Sequence, residues 1–103
     1  MSTDQPRMTG PTLKVLATLM SSTWDELSGA EIARATKLAS GTLYPILLRL
    51  EQAGWLASRW ETEDPKELGR PRRRFYQVTA AGARKANAEF RSLQPAIGKL
   101  AWA

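Results

Sequence analysis

The chain contains no cysteine and no histidine. Disulfides, zinc ribbons, thiol nucleophiles and every histidine-based catalytic arrangement are therefore excluded. The carboxylates of Asp25, Glu26 and Glu31 lie in linker or helix-capping contexts, and the sequence has neither a Gly-rich phosphate-binding loop nor a paired nucleophile and base. We expect no enzyme activity, no metal site and no cofactor.

Long apolar runs are also missing. No stretch approaches the roughly 18 apolar residues needed to span a bilayer, and the N-terminus lacks the basic leader and apolar run of a signal peptide. We therefore expect a cytoplasmic protein without a membrane partner. Its 103 residues suffice for one domain with one modest core, and leave no room for a separate catalytic module.

Acidic residues do not balance the basic ones in the second half of the chain. Residues 1–54 hold five basic and five acidic side chains, whereas residues 55–103 hold ten basic and five acidic ones, so the net charge of +5 comes from the second half. Between Arg70 and Lys85 there are six cations and no carboxylate. Such a concentrated patch favours nucleic acid or an anionic membrane surface as a partner.

The segment 40–54 carries the clearest helical pattern. Its leucine and isoleucine residues recur at i, i+3, i+4 and i+7, and Gly54 follows where a helix ends in left-handed backbone. The opposite face is small, polar and basic, and its first-turn N–H and hydroxyl groups suit a phosphate. We interpret it as a DNA-recognition helix; the alternative is an ordinary amphipathic core helix. The apolar stripe is Leu43, Ile46, Leu47 and Leu50, and the opposite face is Gly41, Pro45, Arg49 and Gln52, flanked by Thr42 and Tyr44.

Two helices precede this segment. After a loosely held tail over residues 1–8, Thr9 caps a first helix that has Pro11 in its first turn. Ser28 and Glu31 form a capping box that opens a short second helix. Because only a few residues separate the second helix from the third, the two must cross steeply, which indicates a helix-turn-helix.

The first helix is apolar on two sides, which predicts that both sides are buried. One side faces the core, and the other faces either a second subunit or the rest of the same chain, as in a central helix. The first stripe is Leu13, Leu16, Ala17 and Met20, and the second stripe, which we assign to the dimer contact, is Val15 and Leu19.

Two strand patterns follow the recognition segment. Trp55–Glu63 alternates with period two, and Arg73–Val78 is a second strand candidate. Between them, Asp64–Arg72 contains two prolines and a glycine, which predicts a turn-rich loop. Residues 9–78 are therefore predicted to form a winged helix-turn-helix with a two-stranded wing, an α+β fold that is mostly α.

Residues 79–103 are predicted to form a C-terminal dimerisation helix with Thr79 as its cap. Its apolar positions step by three and four residues, which suits packing against the first helix of the same chain or of a partner. Pro95 removes one backbone hydrogen bond and predicts a kink or a break nearby. The seam consists of Ala83, Ala86, Phe90, Leu93, Ile97 and Leu100, of which the last four are the predicted dimer contacts.

Five motifs in order carry a family resemblance. They are Ser40-Gly-Thr-Leu-Tyr-Pro45, Leu50-Glu-Gln-Ala-Gly54, Ser58-Arg-Trp-Glu61, Gly69-Arg-Pro-Arg-Arg-Arg-Phe-Tyr76 and Val78-Thr-Ala-Ala-Gly82. With their spacings, about residues 9–90 resemble the PadR-like transcriptional regulators. The resemblance implies a dimeric winged-helix repressor of the small subtype, in which the first and last helices form the dimer interface. It also implies DNA contact through Ser40, Thr42 and Tyr44 and through the Arg70–Arg74 wing.

Two features depart from the family pattern. Leu48 stands where the family usually has a basic or polar residue, so either it contacts a thymine methyl or the helix is rotated from our assignment. The C-terminal region is short and lacks the extension of larger members, which leaves a small-molecule effector open. An aromatic pocket formed with Trp102 is one possibility for such an effector.

The basic residues define the remaining contacts. The wing arginines suit phosphates or a narrow minor groove, or else form a solvated basic loop. Arg49 pairs with guanine, with a phosphate or with a nearby glutamate, and Tyr44 contacts a phosphate, packs under the wing, or does both. The predicted DNA contacts are Lys37, Ser40, Gly41, Thr42, Tyr44, Arg49, Arg70, Arg72, Arg73 and Arg74.

These features predict a sequence-specific transcriptional regulator that binds double-stranded DNA as a homodimer. It would place two recognition helices in an inverted repeat, with half-sites about 34 Å apart or a multiple of that, and would act as a repressor. The alternative is a winged helix used as an architectural or protein-interaction module without sequence-specific readout.

Overall fold

The described part of the chain consists of four helices, a small antiparallel sheet and a long final helix. The computed structural model describes residues 5–22 and 25–102, and for residues 94–102 it describes the helical backbone alone. The elements are α1 (Gly10–Met20), β1 (Leu27–Ser28), α2 (Gly29–Thr36), α3 (Ser40–Gln52), β2 (Leu56–Trp60), α4 (Pro65–Leu68), β3 (Arg74–Val78) and α5 (Ala80–Trp102).

The first two helices begin at the predicted capping residues. The Thr9 hydroxyl accepts a hydrogen bond from the Thr12 N–H at 3.3 Å. The Ser28 hydroxyl accepts from the Glu31 N–H at 3.1 Å, and the Glu31 carboxylate accepts from the Ser28 N–H at 2.8 Å. Each cap satisfies N–H groups that have no partner inside the helix. Only residues 37–39 separate α2 from α3, so the predicted helix-turn-helix is confirmed.

The sheet has three strands in the order β1-β3-β2, and all neighbouring strands are antiparallel. Strands β2 and β3 pair from Leu56 opposite Val78 to Trp60 opposite Arg74. We call β2, β3 and residues 61–73 between them the wing. The sequence predicted two strands and missed β1, because two residues are too few to show a periodicity. The mostly helical winged fold itself is confirmed.

The connection within the wing contains a short helix, which corrects the prediction of a turn-rich loop throughout. The Asp64 carboxylate accepts from the Lys66 N–H at 3.0 Å, and Pro65 occupies the first position of α4. The helix ends at Gly69, whose φ of 68° lies in the left-handed region. An Asp-Pro start and a glycine end are helix signals, although four residues between them gave no periodicity to recognise.

Helix α1 crosses the centre of the core. Val15 is 0% exposed and Leu19 is 1% exposed, so both lie inside their own chain and have no surface to offer a second subunit. The assignment of these two residues to the dimer contact is therefore wrong. The alternative of a fully buried central helix is not met either, because Leu13 and Met20 of the other stripe are half-buried and Ala17 is exposed. The predicted stripe of the third helix is also buried, at Leu43, Ile46, Leu47 and Leu50.

Helix α5 packs on the domain with its first turns and then extends past it. A Cβ atom on Gly82 would lie 2.1 Å from the Trp55 carbonyl oxygen, so only glycine allows this approach. Ala86 is fully buried and Phe90 is half-buried against the core, whereas Leu93 is 38% exposed. The Thr79 hydroxyl accepts from the Gly82 N–H at 2.9 Å, which confirms the predicted cap.

Some predictions fall on residues that the structure describes only in part. One helix is assigned across Pro95, from Ala80 to Trp102, rather than two helices, and the kink stays a prediction. The side chains of Ile97, Leu100 and Trp102, and the whole of Trp24, lie outside the described residues.

Candidate nucleic-acid interface

The outward face of α3 is the surface opposite the buried stripe. Ser40, Gly41, Thr42, Tyr44, Pro45, Leu48, Arg49 and Gln52 are all exposed. At 100° per residue, the line farthest from the core passes through Gly41, Pro45, Leu48 and Gln52. Leu48 is 55% exposed, so the helix has the predicted rotation and an apolar side chain stands at the middle of this face.

The two flanks of this face turn toward different neighbours. On one flank, Thr42 and Arg49 border a groove of about 400 Å³ against the start of α1, which Arg7 also lines. On the other flank, Tyr44 borders a groove of about 370 Å³ that separates α3 from the wing. Residues that line this second groove are Ser28, Gly29, Ala30, Tyr44, Trp60, Arg72, Arg73, Arg74 and Tyr76.

Tyr44 is fixed by a close contact with the first residue of α2. A Cβ atom on Gly29 would lie 2.5 Å from the Tyr44 hydroxyl oxygen and 3.0 Å from its ring, so a side chain there would push the tyrosine away. Tyr44 is nevertheless 45% exposed. One side of the ring thus packs on the helix-turn-helix while the remainder faces the groove, as suits an amphipathic aromatic side chain.

Glu61 organises the end of the wing. Its carboxylate accepts two hydrogen bonds from the Arg70 guanidinium, at 2.6 and 3.0 Å, and a third from the Arg73 N–H at 2.8 Å. These charge-assisted bonds favour the ionised form and lower the pKa of Glu61 from 4.5 to about 2, Arg70 being the main cause. The same pair raises the pKa of Arg70. Arg70 therefore serves to hold the wing together.

Arg74 is also engaged within the chain. Its guanidinium donates to the Ser58 hydroxyl at 3.0 Å and to the Glu51 carboxylate at 3.4 Å, which ties the wing to the last turn of α3. It lies 5.2 Å from the centre of the Trp60 ring, within range of a cation–π contact. Trp60 itself is 55% exposed beside the groove.

The remaining cations are available to a partner. Arg72 is exposed, and its Nε donates to the Glu63 carbonyl at 2.9 Å. Within residues 5–22 and 25–93, the guanidinium groups of Arg73 and Arg49 have no hydrogen-bond or ion-pair partner. The predicted pairing of Arg49 with a nearby glutamate is therefore absent from this part of the chain.

Lys37 lies at the turn of the helix-turn-helix, as predicted, and its backbone is unusual. Its φ of 60° is left-handed, and its N–H donates to the Ala33 carbonyl at 2.8 Å and so closes α2. Its side chain is exposed. Glycine would adopt this backbone without strain, whereas a lysine here carries a small conformational cost.

Three residues beside these grooves or within the wing were not predicted from the sequence: Glu61, Trp60 and Arg7. The alternation in β2 placed Trp60 in the sheet but could not show its exposure beside the groove. Glu61 lies nine residues from Arg70 in sequence, and only the antiparallel pairing of the wing brings them together. Arg7 precedes α1 in a segment with no pattern, so no signal could have found it.

The profile of the Transcriptional regulator PadR-like family matches residues 24–88, which is more than half of the chain. The chain therefore belongs to this family. Among curated proteins, none matches it significantly. No helix within the described part of the chain is long and apolar enough to cross a membrane.

Solved structures of similar fold include a PadR family transcriptional regulator from Eggerthella lenta. It is 28% identical, with a TM-score of 0.60 over 84% of this chain and 79% of the other. Reduced AbfR bound to DNA is 27% identical, with a TM-score of 0.68 over 85% and 56% of the two chains. The Staphylococcus aureus MepR–DNA complex is 20% identical, with a TM-score of 0.66 over 91% and 70%. The chain spans 54–63% of the length of several other MepR and AbfR chains that it matches.

Proposed function

We propose that this protein is a transcriptional regulator that binds double-stranded DNA as a homodimer, with one α3 helix from each subunit in the major groove. The two wings brace the flanking backbone. The target is an inverted repeat, and its occupancy represses transcription by excluding polymerase. Neither catalysis nor a cofactor enters this function.

One observation carries the proposal. Tyr44, on one flank of the outward face of α3, borders the same groove as Arg72 and Arg73 of the wing, so a duplex seated against α3 would meet these arginines. Arg72 and Arg73 supply guanidinium groups for phosphates on one side, and Arg49 supplies a third cation on the other flank of α3. The exposed hydroxyls of Ser40 and Thr42 at the helix start suit phosphate or base edges.

The relatives support the same function. AbfR, which is 27% identical over 85% of this chain, has a solved structure in its reduced form bound to DNA. The chain also belongs to a family named for transcriptional regulation. Operator symmetry and repression are our own extension from these two facts.

The dimer contact is proposed along α5. Phe90 packs half-buried on the core, and one step further along the seam Leu93 is 38% exposed. The apolar seam of α5 continues beyond the core with an exposed leucine, which favours packing against a helix of a second subunit. We place Leu93 in the contact, and Ile97 and Leu100 continue the same three–four spacing. Val15 and Leu19 are buried, so any contact that α1 makes with the second subunit involves its other residues.

DNA binding is tested by selecting bound fragments from random duplexes and measuring the affinity of the best fragment at several salt concentrations. We expect a motif with two-fold symmetry. If each dimer neutralises about eight phosphates, log K falls with log salt at a slope near −7. A slope near zero on every duplex would contradict DNA binding. A steep slope without any preferred motif would favour the architectural alternative.

The dimer and the repression have separate tests. Light scattering should give twice the monomer mass for the parent and the monomer mass for Leu93→Arg. Leu48→Arg is the matched control, since it places the same charge on an exposed leucine of α3, and it should remain dimeric. Transcription in vitro from a promoter that contains the selected motif should fall as the protein is added. Unchanged or increased transcription would contradict repression.

A further inference from the structure

The most exposed leucine of the described residues lies at the centre of the presumed DNA face. Leu48 is 55% exposed. Along the outward line of α3, Gly41 and Pro45 precede Leu48 and offer no hydrogen-bonding side chain, whereas the exposed Gln52 follows it by one turn. The middle of this face is therefore apolar, whereas its flanks carry Arg49 and Tyr44.

An apolar side chain at this place limits what it can read. In the major groove, base edges present mainly hydrogen-bond donors and acceptors, and the C5-methyl group of thymine is the apolar group that projects furthest into the groove. Leucine has no group to pair with the polar edges, and pressing it against them would remove their water without replacement. Against a thymine methyl, both surfaces lose only unfavourable contact with water.

We propose that Leu48 reads the C5-methyl group of one thymine in each half-site and so determines specificity at that base pair. This inference rests on the proposed function, because it requires α3 to lie in the major groove. It assigns the centre of the helix to apolar readout and leaves hydrogen-bonded readout to the flanks. Pro45, one turn nearer the helix start, adds apolar surface beside the same base.

Uracil substitution isolates this contact, because uracil differs from thymine only by the absent methyl group. In the selected duplex, each symmetry-related pair of thymines is replaced by uracil in turn, and the dissociation constant is measured for each duplex. Uracil at one of these symmetry-related pairs should weaken binding of the parent by about fourfold for each half-site, which is the factor expected for one buried methyl-sized group. Uracil outside the motif is the control and should have no effect.

Substitutions at Leu48 then assign the effect to this side chain. Leu48→Gln should bind the thymine and uracil duplexes equally, with the salt slope of the parent, whereas Leu48→Met should keep the preference. Both variants should melt like the parent, since the side chain is exposed. If the parent binds its motif but no uracil pair matters, or if Leu48→Gln keeps the preference, the inference is overturned and the proposed function stands. If the parent binds no duplex, both are overturned.

Discussion

Helix α3 and the wing border one groove with opposite chemistry. The outward line of α3 runs through a glycine, a proline, a leucine and a glutamine, and the one cation of the helix, Arg49, stands on the far flank. The wing carries four arginines within five residues, beside an exposed tryptophan. A surface poor in charge discriminates by shape and apolar contact, whereas a cationic surface attracts any phosphate backbone. We therefore assign sequence readout to α3 and affinity to the wing.

The same contrast recurs inside the wing. Arg70 and Arg74 are held by Glu61 and Glu51, so their charges are largely neutralised and their positions fixed. Arg72 and Arg73 stand between them in sequence and are exposed. The paired arginines stabilise the part of the wing that carries the exposed ones. The number of basic residues in the sequence therefore overstates the number of cations available to a ligand.

Removing the two exposed wing arginines should have the largest effect. Arg72→Ala combined with Arg73→Ala removes up to four phosphate contacts from a dimer. At 0.1 M salt, we expect the affinity for every duplex to fall roughly a thousandfold and the magnitude of the salt slope to fall by about 3 to 4. Titrations of selected and scrambled duplexes at several salt concentrations measure both quantities.

The control for this pair removes the same charge elsewhere. Arg84→Ala combined with Arg91→Ala takes two exposed arginines from α5, on a side away from the apolar seam. This variant should keep the slope and affinity of the parent. Equal losses of affinity in the two double variants would mean that net charge matters and the position of the arginines does not. That result would contradict the assignment of affinity to the wing and of sequence readout to α3.

Arg49→Ala should have a smaller and more selective effect. If Arg49 hydrogen-bonds a guanine, about 1–3 kcal/mol of discrimination is lost at one base pair in each half-site, which at the lower end of this range is about thirtyfold for the dimer. Selection with this variant should give a motif that is degenerate at that position alone. A motif with every position intact and a uniformly lower affinity would instead assign Arg49 to a phosphate.

Much of the fold follows from local patterns in the sequence, and the exceptions are non-local. The 3.6-residue period in α3 predicted both its buried stripe and its outward face, because both depend only on the spacing of apolar residues within that helix. Val15 and Leu19 were assigned wrongly, since a second apolar stripe does not reveal whether its own chain or a partner covers it. The state of Arg70 and Arg74 depends on carboxylates 9 and 23 residues away, and their pairing requires the folded wing.

Lys37→Gly separates stability from affinity at the helix-turn-helix. Glycine relieves the left-handed backbone strain and should raise the free energy of unfolding by about 1 kcal/mol. The same change removes a cation, so we expect a uniform affinity loss that is smaller than for the wing pair, with a slope change of about 2 per dimer. Chemical denaturation and DNA titration measure the two effects. Lys37→Asn is the control for the charge, and it should lose similar affinity.

Glu61→Gln should have the smallest effect at neutral pH and should reveal how the wing is held. The pKa of Glu61 falls from 4.5 to about 2 on folding, so its contribution to stability is present above pH 4.5 and is lost as the pH falls toward 2. Between these values, the melting temperature of the parent should fall more steeply than that of Glu61→Gln.

Glu63→Gln makes the same charge change two residues away and should follow the parent. Glu26 and Glu31, whose pKa values are also lowered by their hydrogen bonds, titrate in every variant and cancel in the comparison. If the parent and Glu61→Gln lose stability in parallel, the Arg70 pair does not hold the wing, and the distinction between fixed and free arginines loses its physical basis.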